Sequence, residues 1–136
     1  MKLIASYKEI DRVVEALKKR LDKKSCVVLL QGDLASGKTT FVQRFVKSFG
    51  INDGVTSPTF SLQSIYGENI YHYDIYNKTL DEFLSLGFLE EFEKDGIHLV
   101  EWGDDRLKEM LLGFGFNVVV LKIKRADDKR EYEIDA

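Results

Sequence analysis

Gly32, Gly37, Lys38 and Thr39, in the stretch GDLASGKTTF (32–41), carry the strongest chemical signal in the chain. Gly-x-x-x-x-Gly-Lys-Thr is the P-loop pattern, and each fixed position has a physical job. The glycines admit backbone conformations and close approaches that a Cβ would block, so successive N–H groups can converge on one anion. A helix opening at Thr39 adds the positive end of its dipole. Lys38 is placed to reach the β- and γ-phosphates of a nucleotide, and the Thr39 hydroxyl to ligate Mg²⁺. The pattern follows the apolar run CVVLL (26–30) and precedes TTFVQRFVKSFG (39–50), apolar at helical spacing. Strand, glycine-rich loop and helix therefore come in the order the motif requires.

Hydrolysis needs more than a phosphate cradle: an acid on the metal side and a group that orients the attacking water. Asp74 in YHYDIY and Glu101 in HLVEW each sit within or at the end of an apolar strand. In a doubly wound sheet, ligands gather at the carboxyl ends of the strands. Glu101, running straight into a polar GDD, is positioned like a metal-side carboxylate. A strand-end cap or a surface ion pair is the plainer use of either acid. Between the loop and the next strand, VTSPTF (55–60) holds the only proline, Pro58. Thr56, Ser57 and Thr59 there either make turn hydrogen bonds or form a switch loop that senses the γ-phosphate and Mg²⁺.

The elements that must position these residues are legible from periodicity. Residues 6–21 place Ile10, Val13, Val14, Leu17 and Leu21 on one helical stripe, with Ser6 and Glu9 in capping-box spacing. FSLQSIY (60–66) and NIYHYDIY (69–76) flank the turn GEN as an antiparallel hairpin. Residues 79–96 open with a second capping box, Thr79 and Glu82, and present Phe83, Leu84, Phe88, Leu89 and Phe92 on an apolar face that Gly87 should break. IHLVEW (97–102) reads as a buried strand, DDRLKEMLL (104–112) as a short helix, and NVVVLKIKR with REYEID as a terminal hairpin around ADDK.

The chain has 136 residues, 44% of them apolar, enough for one core, and residues 1–136 read as a single domain. A net charge of -3 supplies no field that would draw the chain to nucleic acid by itself. The lone cysteine, Cys26, excludes an internal disulfide and sits as a small hydrophobe. No apolar stretch approaches a membrane span, so the expected location is cytoplasmic.

Taken in order, GDLASGKTTF, TSPTF, YHYDIY, LGF in an acidic helix and LVEW resemble the TsaE (YjeE) family of small bacterial ATPases, from Ser6 to Trp102. The resemblance implies a P-loop ATPase domain of α/β class: a P-loop NTPase-like three-layer sandwich whose central mixed sheet, a parallel core plus antiparallel hairpins, is flanked by helices. It implies ATP and Mg²⁺ as cofactors, and a requirement for the protein in making threonylcarbamoyladenosine at position 37 of tRNA. TsaD and TsaB would be the protein partners, with tRNA reached only through them. It further implies that Gly32, the Leu34–Thr39 loop (Leu34, Ala35, Ser36, Gly37, Lys38, Thr39) and Thr40 hold the phosphates, with Thr39 and Glu101 as Mg²⁺ ligands. Thr56 falls in the switch-like loop, Asp74 matches the acid of a His-x-Asp-x-Tyr pattern with His72 and Tyr76 in register, Trp102 lies near the nucleotide, and the segment at Ser6 approaches the adenine. Lys38, Asp74 and Glu101 are the catalytic set so implied. Ala35 and Ser36 depart from the family's glycine and alanine, Asn77 stands where an arginine is usual, and the usual proline after Trp102 is missing.

Two other functions fit a P-loop. A small-molecule kinase needs an acceptor pocket and usually an arginine-bearing lid, whereas Arg12, Arg20, Arg44, Arg106, Arg125 and Arg130 are scattered, mostly on helix faces or in the terminal hairpin. The other is a nucleotide-binding interaction module with little turnover; Asp74 and Glu101 beside Lys38 and Thr39 argue against it, though weak turnover alone would look much the same.

Overall fold

A computed structural model describes residues 1–21, 25–33, 36–52, 62–76 and 78–135. The apolar run after the first helix is a strand, Ser25–Gln31, with all five interior residues buried. It is apolar throughout because it lies mid-sheet, paired in parallel with Gly96–Glu101 on one side and Val118–Ala126 on the other, so helices cover both its faces. In chain order the strands are β1 (Lys2–Ala5), β2 (Ser25–Gln31), β3 (Gln63–Tyr66), β4 (Ile70–Asp74), β5 (Gly96–Glu101), β6 (Val118–Ala126) and β7 (Lys129–Asp135). They form one sheet ordered β1-β7-β6-β2-β5-β4-β3. Strands β6, β2, β5 and β4 run parallel, and antiparallel strands extend the sheet at both ends. This is the mixed sheet the motif order predicts.

Two layers of helices complete the sandwich. On one face, α1 (Ile10–Lys18) and α2 (Lys38–Lys47) bury Ile10, Val13, Val14 and Leu17, and Phe41, Val42, Phe45 and Val46, each an i, i+3, i+4, i+7 or i, i+1, i+4, i+5 stripe, onto Val28 and Leu30. On the other, α3 (Leu80–Ser85), α4 (Phe88–Glu91) and α5 (Asp105–Gly113) bring Phe83, Phe88, Phe92, Leu107 and Leu111 onto Val27, Leu29 and Val100. Alternate residues of β2 thus belong to different cores, as the period of a strand dictates.

Several local expectations are met and some are refined. Gly87, in left-handed backbone at φ 82°, ends α3 and starts α4; the Thr79 hydroxyl accepts from Glu82 N–H while the Glu82 carboxylate takes Thr79 N–H. The first helix is shorter than 6–21. Tyr7–Glu9 is one 3₁₀ turn, and α1 ends at Lys18. β1 was not foreseen: KLIA is too short to show a period, and it forms because β7 leaves an edge for it to pair with, Leu3 opposite Tyr132. Residues 60 and 61 of the expected first hairpin strand lie outside the described residues.

Gly96 opens β5 at φ 138°, and a Cβ there would lie 2.2 Å from the carbonyl oxygen of Asn69, whose backbone already accepts Ile97 N–H. Gly96→Ala is therefore expected to cost about 3 kcal/mol, the strain of a disfavoured φ plus overpacking against rigid backbone. A urea unfolding midpoint equal to that of the parent would contradict this.

Candidate functional site

Strand alternation decides which acids meet the glycine-rich loop. Leu30 of β2, Glu101 of β5 and Asp74 of β4 are register partners in one row across three parallel strands. Leu99 and Leu30 pack on the α1–α2 side whereas Val100 and Tyr73 pack on the other. By period, Glu101, Asp74 and His72 therefore share the face that carries α2. The loop after β2 turns into α2 on that same face, through Gly37 in left-handed backbone at φ 107°. The result is a cleft of about 330 Å³ lined by Ser36, Gly37, Lys38, Thr39 and Thr40 together with Asp74, Tyr76, Glu101, Trp102 and Arg130.

The contacts within it are specific. The Thr39 hydroxyl donates to the Glu101 carboxylate, 3.1 Å from each oxygen. Glu101 is 2% exposed, and its Oε2 also meets Nε2 of the fully buried His72 at 2.5 Å. Nδ1 of His72 has no partner among the described residues. The Lys38 ammonium donates to the carbonyls of Gly32 at 2.7 Å and Asp33 at 2.9 Å, and lies 3.8 Å above the Trp102 ring. Burial pulls the Lys38 ammonium below its usual pKa, opposed by the charges of Glu101, Asp74 and Asp33. Burial pushes the Asp74 carboxyl up, aided by Glu101 and opposed by the Tyr76 N–H that donates to its Oδ1 at 3.0 Å. Trp102 follows Glu101 in left-handed backbone at φ 70° and stacks on Tyr76 with centroids 4.8 Å apart.

Of the residues singled out by sequence, Ser36, Gly37, Lys38, Thr39, Thr40, Asp74, Glu101 and Trp102 come together at this cleft. Gly32 takes part through its carbonyl, and a Cβ there would stand 2.6 Å from the Ile123 carbonyl oxygen, so the loop can leave β2 only as glycine. Ser6 does not line the cleft; its N–H donates to Glu9 at 3.0 Å. Its neighbour Tyr7 lines an adjoining hollow of about 190 Å³ with Thr40, Arg130 and Tyr132. Leu34, Ala35, Thr56 and Asn77 lie outside the described residues. Arg130 is the residue sequence reasoning missed: grouped with the scattered arginines, it stands instead at the cleft, its Nε donating to the Ser36 carbonyl at 2.9 Å. No short-range pattern could have shown it, because β7 reaches the loop only through the pairing of β6 with β2.

Among the described residues no cluster of three or more His, Cys, Asp or Glu could cage a metal. Mg²⁺ is usually held by one or two protein oxygens plus phosphates and water rather than by an all-protein cage. Thr39 and Glu101 offer such oxygens side by side. No helix among the described residues is long and apolar enough to cross a membrane.

The profile of a family described as "Threonylcarbamoyl adenosine biosynthesis protein TsaE" matches residues 4–132. Over 132 residues the chain is 37% identical to the tRNA threonylcarbamoyladenosine biosynthesis protein TsaE of Bacillus subtilis, covering 94% of this chain and 80% of that one. It is 40% identical over 109 residues to the protein of the same name from Rickettsia typhi, covering 76% and 74%. The crystal structure of Bacillus subtilis YdiB has the same fold, with a TM-score of 0.68 over 97% of this chain and 82% of that one at 29% identity.

Asp74 offers a test of the site's electrostatics. A carboxyl whose folded-state pKa is raised stabilises the fold below its ordinary value of 3.8, and that contribution is lost as pH rises through the raised value. At neutral pH the half-buried charge is a cost. Asp74→Asn keeps an oxygen for the Tyr76 N–H and should raise the thermal midpoint of the ligand-free protein at pH 7. The gain should vanish below pH 3.8, where both side chains are neutral. A midpoint that falls at pH 7 would show the charge to be compensated.

Proposed function

The chain belongs to the threonylcarbamoyladenosine biosynthesis protein TsaE family, and from that premise we propose that it is a Mg²⁺-dependent ATP hydrolase. It would support threonylcarbamoyl transfer to position 37 of tRNA through the TsaB–TsaD pair, meeting tRNA only through them. The observation that carries the reading is the Thr39 hydroxyl on both oxygens of the buried Glu101 carboxylate, at the mouth of a loop that ends in Lys38.

In this reading the cleft takes the triphosphate and the hollow at Tyr7 the nucleoside. The N–H groups at the start of α2, from Gly37 to Thr40, surround the phosphates. Lys38 rests on two carbonyls and one indole face, and a rotation of its side chain frees the ammonium for the terminal phosphates. Thr39 and Glu101 would hold Mg²⁺, which when bound neutralises charge developing on the phosphoryl oxygens. His72 keeps the Glu101 carboxylate in one orientation, so that the oxygens face Thr39. Asp74 binds Tyr76 N–H with Oδ1, and its second oxygen has no partner among the described residues. Its raised proton affinity suits a group that orients and deprotonates an attacking water.

Phosphate release with and without the TsaB–TsaD pair tests the whole. Release should be slow alone and faster with the pair; a rate indifferent to both partners would count against the reading. Lys38→Ala should weaken ATP binding roughly 30-fold, the loss of one charge-assisted contact. Glu101→Gln should leave binding without Mg²⁺ intact and lower Mg²⁺-dependent turnover about 100-fold. Trp102, the only tryptophan, reports binding directly, since nucleotide should draw Lys38 off its ring and change its emission.

A further inference from the structure

Leu62, where the chain enters β3, is in left-handed backbone at φ 60°. That conformation is costly for a bulky side chain and persists only where neighbouring contacts over-determine it. The strain falls at a particular peptide. The Leu62 carbonyl accepts the Asp74 N–H at 3.2 Å, closing the β3–β4 ladder one step beyond the Gln63–Tyr73 pair. On the far side of Asp74, the Ile75 N–H donates to the Glu101 carbonyl at 3.3 Å. The backbone of Asp74 is therefore pinned between Leu62 and the strand end that carries Glu101.

The residue next to Leu62 is anchored in turn. Gln63 Nε2 donates to Glu91 Oε1 on α4 at 3.0 Å and to the Tyr73 hydroxyl at 3.3 Å. The bonds beyond have one direction: His98 Nε2 donates to the Lys94 carbonyl at 2.8 Å, so its Nδ1 accepts from the Tyr73 hydroxyl at 2.7 Å. With each proton assigned, the network is satisfied and rigid. Yet Tyr73 still has His98 without Gln63, and Glu91 still has the Lys94 ammonium at 3.0 Å. What Gln63 adds is a tie from α4 to β3, an edge strand of four residues.

Resting on the hydrolase reading above, we propose that Gln63 is a positioning residue for Asp74. By tying β3 to α4 it holds the backbone at Leu62 in its left-handed turn, and the Leu62 carbonyl holds Asp74 beside Glu101. Gln63 lies on the opposite face of the sheet from the cleft, with Tyr73 and α4, so it acts through the backbone and touches neither nucleotide nor metal. A group that orients an attacking water must be held closely, because small misplacements are costly in rate. The edge of a sheet is a poor place to hold one unless the edge strand is itself braced. Glu91 and Tyr73 supply that brace, and the strained peptide at Leu62 passes it to Asp74.

The experiment compares the parent chain with Gln63→Leu, Gln63→Lys and Glu91→Ala, the last cutting the same tie from α4. Three quantities are measured: hydrogen exchange of the Asp74 amide by NMR in the ligand-free protein, ATP affinity through Trp102 emission, and phosphate release at saturating ATP and Mg²⁺ with the TsaB–TsaD pair. Gln63→Leu and Glu91→Ala should each speed exchange at Asp74 roughly tenfold, with amides of β2 and β5 as in the parent. Both should lower kcat roughly tenfold while ATP affinity stays within about twofold. Gln63→Lys, whose ammonium can meet both Glu91 and the Tyr73 hydroxyl, should restore most of the protection and of kcat. A parental kcat in Gln63→Leu or Glu91→Ala would overturn the proposal, whether or not exchange is faster. So would a fall of ATP affinity in step with kcat, which makes Gln63 a general brace of the fold, or a Gln63→Lys no better than Gln63→Leu. If Gln63→Leu does not fold, Glu91→Ala and Gln63→Lys decide between the same outcomes. If the parent releases no phosphate, the hydrolase reading fails; if the parent and the variants release it equally, only Gln63 is misassigned.

Discussion

Leu30 and Glu101 face each other in the parallel ladder between β2 and β5, and this pairing fixes where the chemistry can sit. It sets the exit of β2 into the glycine-rich loop beside the last residue of β5, and the adjoining β4–β5 ladder adds Asp74 to the same row. A slip of one residue would turn Glu101 away from α2 and point Val100 at Thr39. The slip is opposed from both sides, because Val28 and Leu30 are committed to the core under α1 and α2 while Val27 and Leu29 are committed to the other. The 3.1 Å contact between Thr39 and Glu101 is thus held by the packing of two cores rather than by the loop that carries Thr39.

Much of this was legible because the informative residues are local in sequence. CVVLL reads as a two-sided strand, GDLASGKTT as a phosphate loop, and the stripes of α1 and α2 as one apolar face each. Pattern placed Asp74 and Glu101 within or at the end of apolar strands, but only the structure ends β4 at Asp74 and only the register shows that the two share a row and a face. What stayed hidden depends on pairing across long sequence separations. β1 exists because β7 offers an edge, and Arg130 reaches Ser36 across 94 positions of chain because β6 pairs with β2. The terminal hairpin 117–135 was readable as a hairpin; which end of the sheet its turn would approach was not.

The two histidines show why burial alone does not mark a functional group. Both are fully buried. His98 has its needs met: Nε2 donates to the Lys94 carbonyl at 2.8 Å, which leaves Nδ1 to accept from the Tyr73 hydroxyl at 2.7 Å, and its ring stacks on Tyr71. Burial pushes its pKa down, and as a neutral ring it serves the core. His72 spends one nitrogen on a carboxylate and leaves the other unpartnered among the described residues, an arrangement that stability by itself does not favour.

The same contrast holds across the molecule. Among the described residues, the buried polar side chains other than His98 are Ser36, Lys38, His72 and Glu101, gathered about the carboxyl ends of β2, β4 and β5. There too are Trp102 in left-handed backbone and the partly desolvated charge of Asp74. Each is a cost, of about 1–3 kcal/mol for the backbone alone, and none is needed to form the sheet, whereas His98, three residues before Glu101 on β5, is neutral and fully hydrogen-bonded. Costs of this kind persist where the rest of the structure over-determines them, and here two apolar cores clamp the strands that bear them. The concentration of unfavourable terms at the carboxyl ends of β2, β4 and β5 thus marks a candidate site by energetics, at the place the loop motif first suggested.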